Sequence, residues 1–77
     1  MGDKPMSYKT TQVQVDKASK IMKLVLEQKG QFMHQIKLAD KAFDSKQDRQ
    51  AIEYLLNQND YGLAVHINKH NLVEWQS

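Results

Sequence analysis

Near residue 62 the spacing of apolar residues changes period, and that change constrains the fold more tightly than any other feature of the chain. Upstream, apolar side chains recur every three to four residues, as in helices with one buried face. Downstream, Leu63, Val65 and Ile67 alternate with Ala64 and His66, and a second run follows, Leu72-Val73-Glu74-Trp75. Two short alternating runs around Asn68-Lys69-His70-Asn71 read as a β-hairpin. Placing Val73 and Trp75 on the same face as Leu63, Val65 and Ile67 requires an odd number of loop residues, because a slip of one flips every side chain. A three-residue loop, Asn68-Lys69-His70, meets that parity, and asparagine tolerates the left-handed conformation such a loop needs.

Three helices are expected ahead of the hairpin. Ala18, Ile21, Met22, Val25 and Leu26 fall at i, i+3, i+4, i+7 and i+8, which predicts a helix from about Val15, with Lys17, Lys20, Lys23 and Glu27 on its other faces. Gly30, following Lys29, supplies a left-handed C-terminal stop. Phe32, Ile36, Ala39 and Phe43 at i, i+4, i+7 and i+11 predict a short second helix over residues 34–42. Asp44-Ser45 offers an N-cap for a third helix, with Asp48 three residues beyond Ser45 facing its exposed N–H groups. Ala51, Ile52, Leu55 and Leu56 form its buried stripe, and Asn57-Gln58-Asn59-Asp60-Tyr61-Gly62 ends it in a turn. The fold class is therefore α+β, mainly α. Residues 1–13, polar and without period, are expected to be a flexible tail ahead of a single domain over residues 14–77.

Composition removes most other classes. Seventy-seven residues make one domain with a small core, which leaves room for a homodimer. The apolar fraction of 40% with 26% charged residues is that of a chain that folds. No cysteine is present, so neither a disulfide framework nor a thiolate zinc site exists, and a cytoplasmic location is expected. No apolar run is long enough for a membrane span. Residues 1–29 carry six lysines against Asp3, Asp16 and Glu27, whereas residues 50–77 carry Lys69 against Glu53, Asp60 and Glu74, an asymmetry that favours an anionic partner.

Helix, short helix, capped helix and hairpin, in that order over about residues 16–75, resemble the winged helix-turn-helix superfamily in element order and hydrophobic spacing. In that family a glycine and a short extended piece follow the first helix, which Gly30-Gln31-Phe32-Met33 matches. The junction Lys41-Ala42-Phe43-Asp44-Ser45 lacks the glycine common in such turns. The resemblance implies a small protein that binds double-stranded DNA, a transcriptional regulator or accessory factor, with the third helix in the major groove and the hairpin on the backbone. Carried over, it points to Ser45, Lys46, Gln47, Arg49, Gln50, Tyr54 and Asn57 on the third helix and to His66, Lys69, His70 and Asn71 on the hairpin, with Lys17, Lys20 and Lys23 as further backbone contacts. The residue types suit the task, because Gln and Asn pair with adenine, Arg grips guanine, and Lys with Ser holds phosphate at a helix N-terminus.

A second class of function uses the same scaffold as a protein-binding adaptor or inhibitor. Phe32, Met33, Leu38, Tyr54, Tyr61 and Trp75 are many large side chains for so small a core, and such residues are enriched at interfaces. Catalysis is not expected. His34, His66 and His70 form no ligand set with a third partner, the glycines at 2, 30 and 62 make no phosphate loop, and no nucleophile motif or cofactor fingerprint is present.

Overall fold

The computed structural model describes residues 10–29 and 34–76, in the order α1 (Gln12–Lys29), β1 (Gln35–Lys37), α2 (Lys46–Leu56), β2 (Ala64–Ile67) and β3 (Leu72–Gln76). The three strands form one antiparallel sheet ordered β1-β3-β2. The fold is thus α+β, with two helices rather than three.

Helix α1 begins earlier than its apolar stripe. The Thr11 N–H donates to Gln14 Oε1 and the Gln14 N–H donates to Thr11 Oγ1, each at 3.1 Å, a reciprocal capping box that satisfies two end groups. Residues 12 and 13 are therefore helical, and only residues 1–9 of the expected tail lie outside the described residues, as do the expected stop at Gly30 and the piece over residues 30–33.

The expected second helix over residues 34–42 is replaced by β1 and an irregular turn. Gln35, Ile36, Lys37 and Leu38 alternate exposed and half-buried, and Ile36 pairs with Val73. A helix of nine residues is marginal on its own, whereas β3 offers this segment a ladder: Trp75 N–H donates to the His34 carbonyl at 3.2 Å and Leu38 N–H to the Asn71 carbonyl at 2.9 Å. Beyond Leu38, side chains from elsewhere hold the carbonyls that a helix would have bonded internally. Asn71 Nδ2 donates to the Ala39 and Asp40 carbonyls at 2.9 and 3.1 Å, and Lys17 Nζ to the Ala42 carbonyl at 2.8 Å.

Helix α2 matches the expected third helix. The extended Ser45 caps it, its Oγ accepting from the Asp48 N–H at 3.0 Å while Asp48 Oδ2 accepts from the Asp44 N–H at 3.0 Å. The hairpin keeps the expected parity, with Val65 opposite Trp75 and Ile67 opposite Val73. Its loop lies one residue later than expected. Asn68 N–H bonds the Leu72 carbonyl, so Lys69-His70-Asn71 make the connection and Asn71 takes the left-handed position, φ 62°.

Both helices contact the sheet and each other, and they enclose one core. Ala18, Ile21 and Val25 meet Ile52 and Leu56 above Leu63, Val65, Ile67, Val73 and Trp75, with Met22, Leu26, Ile36, Leu38, Phe43 and Leu55 around the rim. Burying one such aliphatic or aromatic side chain contributes about 1.5–3 kcal/mol. Ala64 and His66 are exposed on the opposite face.

Candidate nucleic-acid interface

Side chains of α2 and of the turn after it fix where the hairpin sits. Strand β2 is an edge, and the outward backbone groups of Leu63 just before it and of Val65 and Ile67 within it would face water unpaired. Asn59 Nδ2 donates to the Leu63 carbonyl at 2.9 Å and its Oδ1 accepts from the Leu63 N–H at 3.2 Å. Asn57 binds both groups of Val65 at 2.8 Å, and Glu53 Oε1 accepts the Ile67 N–H at 2.7 Å. This ladder sets α2 antiparallel to β2. Four residues of helix rise about 6 Å and two of strand about 6.6 Å, so the two spacings match, and the N-terminal end of α2 points toward the hairpin end of β2. The bonds from Asn71 to Ala39 and Asp40 hold the same turn against the segment that leads into Ser45.

The N-terminal half of α2 and the hairpin turn therefore occupy one end of the molecule. Lys46, Gln47 and Gln50 are exposed there, and Arg49 is half-buried on the flank facing β2. Lys69 and His70 are exposed on the turn and line a shallow depression with Asn71, Asp40 and Lys37. Sequence reasoning missed Lys37, because a helix over residues 34–42 pointed it elsewhere. As a strand residue it pairs with Leu72 and reaches the hairpin turn. Its Nζ lies 3.3 Å from Asp40 Oδ1 and donates to its neighbour's carbonyl, Leu38, at 2.8 Å.

Other residues expected at an interface have structural work instead. Ser45 Oγ accepts the cap bond, while Asn57 and Asn71 spend their amides on backbone groups. Lys17 bonds the Ala42 carbonyl and lies 3.8 Å from Asp48 Oδ2. His66 is on the outer face of β2, Nδ1 3.1 Å from Glu53 Oε1, away from the turn. Tyr54 is half-buried. Lys20 is exposed on α1, and Lys23 lines a groove with Asp60 and Tyr61 at the other end of α2.

Carboxylates temper the local charge. Asp44 is exposed beside the α2 N-terminus, and the Asp48 side chain is mostly buried. Burial of Asp48 pushes its pKa up, but the Asp44 N–H, the Gln14 amide at 2.8 Å and the Lys17 charge outweigh it and hold the carboxyl below its ordinary value. With its negative charge at the helix N-terminus, Asp48 already occupies the position a phosphate would prefer. Among the described residues, the basic side chains left without a carboxylate partner at this end are Lys46, Arg49 and Lys69.

Among the described residues no group of three or more His, Asp or Glu side chains could hold a metal ion, and no helix is long and apolar enough to cross a membrane. Comparison with known proteins gives no matching family model, no matching curated protein and no matching solved structure.

Proposed function

We propose that the chain binds double-stranded DNA as a winged helix would, laying the first turns of α2 against the duplex and setting the hairpin turn on the neighbouring backbone, as a transcriptional regulator or accessory factor. The observation that carries this reading is the ladder from Glu53, Asn57 and Asn59 to β2, which runs α2 antiparallel to that strand and so turns its N-terminal end toward the hairpin end. The retained part of the expected order, a first helix, a capped helix and a C-terminal hairpin, supports it as well, while β1 stands where the winged-helix order has its second helix. Three phosphates neutralised by Lys46, Arg49 and Lys69, with release of their counterions, give a logarithmic salt slope of about −2.7. Anisotropy titration of the chain against a labelled random duplex should then show affinity falling roughly fortyfold between 50 and 200 mM salt. Lys46→Ala and Lys69→Ala should each reduce the slope by about one. No binding at low salt would refute the reading.

A second reading rests on a different observation. An open groove of about 460 Å³ runs between α1 and the C-terminal end of α2, lined by Val15, Met22, Leu26, Leu55 and Tyr61, of which Val15 and Tyr61 are exposed. Such a groove suits an apolar segment of a protein partner or of a second copy of the chain. Binding there would scarcely respond to salt, and Tyr61→Ala would weaken it while leaving DNA retention unchanged.

A further inference from the structure

Resting on the reading of the groove between α1 and α2 as a docking surface, we infer that its occupant is a second copy of this chain, held across a two-fold axis by Tyr61 and by reciprocal Lys23–Asp60 pairs. In a two-fold contact one patch meets itself, so the patch must carry both members of every complementary pair. This groove carries them in shape and in charge. Met22 and Leu26 of α1 and Leu55 of α2 are half-buried along it and form the receiving side. The inserting side is Tyr61, 59% exposed at the same groove. Its turn holds it out: Asn59 Oδ1 accepts the Tyr61 N–H at 2.9 Å, and Gly62 follows in the left-handed conformation, φ 71°. Tyrosine supplies a large contact area at the cost of few rotatable bonds. Val15, the other exposed apolar side chain of the groove, makes with Tyr61 a patch rather than a scatter of single residues.

Charge separates a second copy from a foreign segment. Lys23 and Asp60 are both exposed and both line the groove. Among the described residues neither has an ion-pair partner, whereas Lys17, Lys37 and His66 each lie beside a carboxylate. A foreign apolar segment has to bring a matching acid and base of its own, placed to suit. A second copy brings both by symmetry, Asp60 against Lys23 and Lys23 against Asp60. The groove is smaller than the roughly 20–30 residues a side of a standard interface, so the pair forms reversibly and concentration is the variable that reveals it.

The test is light scattering and amide chemical-shift mapping of the full chain from about 20 μM to about 2 mM, with no other macromolecule present. The mass is expected to rise toward that of two chains, with shifts at Val15, Met22, Lys23, Leu26, Asp60 and Tyr61. Lys23→Glu and Asp60→Lys should each weaken association by about tenfold or more, because every pair then carries two like-charge contacts. Mixed in equal amounts, the two variants should associate within about threefold of the wild type, because each opposing site then carries unlike charges. Equal urea midpoints establish that the variants fold, and the wild-type mapping needs no variant. A chain that stays monomeric at every concentration, a dimer whose shifts lie at Gln35–Lys37 instead of the groove, or a mixture no tighter than either variant would overturn the inference. On a monomeric chain the apolar dye anilinonaphthalene sulfonate then decides the groove reading: shifts at Val15, Met22 and Tyr61 keep the groove as a site for another protein, and their absence removes that reading too.

Discussion

Asp48 sits where α1, the 39–45 turn and α2 meet, accepting from the Asp44 N–H and the Gln14 amide with the Lys17 ammonium nearby. Asp48→Ala should cost about 1–3 kcal/mol, since it leaves these donors without their acceptor. The carboxyl is held below its ordinary value, so on acidification the unfolded chain takes up this proton first. The contribution is complete above the ordinary carboxylate range near pH 4 and disappears as pH falls through the lowered folded value. Urea midpoints at pH 7 and pH 3 should therefore drop further for the wild type than for Asp48→Asn. Asn71 is a second such residue. It combines a left-handed backbone with two bonds to the 39–40 turn, so Asn71→Ala should cost about 2–4 kcal/mol and Asn71→Gly less, because only the first adds backbone strain. Trp75 behaves differently. Among the described residues its buried Nε1 has no hydrogen-bond partner. Trp75→Phe then loses packing but no bond, and should cost under about 2 kcal/mol against roughly 3–5 for Trp75→Ala, as denaturant titration would measure.

Strand β2 is an edge made safe from outside the sheet. Residues 63, 65 and 67 turn their backbone outward, and Asn59, Asn57 and Glu53 take those groups in turn. Asn57→Ala should strip both partners from Val65, cost about 1–3 kcal/mol and speed hydrogen exchange at the Val65 amide more than at Val73 in the central strand. The freed edge should also promote self-association, visible by light scattering. How far the elements could be read in advance follows from where their causes lie. The stripes of α1 and α2, the Ser45 cap and the parity of the hairpin are local, so spacing revealed them. Residues 34–42 were misread because Phe32, Ile36, Ala39 and Phe43 also satisfy a helical period, and what decides the matter is distant: the open edge of β3 and the side chains of Asn71 and Lys17. The duty of Asn57 was hidden for the same reason, since a polar residue at a helix end looks alike whether it faces a base or a strand eight residues on.

At the scale of the whole molecule, one end gathers what the sequence had scattered. Lys46, Gln47, Arg49 and Gln50 come from one helix, Lys69 and His70 from a turn some twenty residues later, and Lys37 from a strand that spacing concealed. At the opposite end lies the apolar groove that includes Tyr61 and Lys23. The two candidate surfaces are thus separated along α2, and a single spectrum can tell which one a ligand uses. Amide chemical-shift mapping of the folded chain during titration with a random duplex at low salt is the most direct measurement. The account predicts shifts concentrated at residues 46–50 and 69–70 with Val15, Met22 and Tyr61 unmoved. Shifts confined to Val15, Met22, Leu26 and Tyr61, or none at any residue, would contradict it.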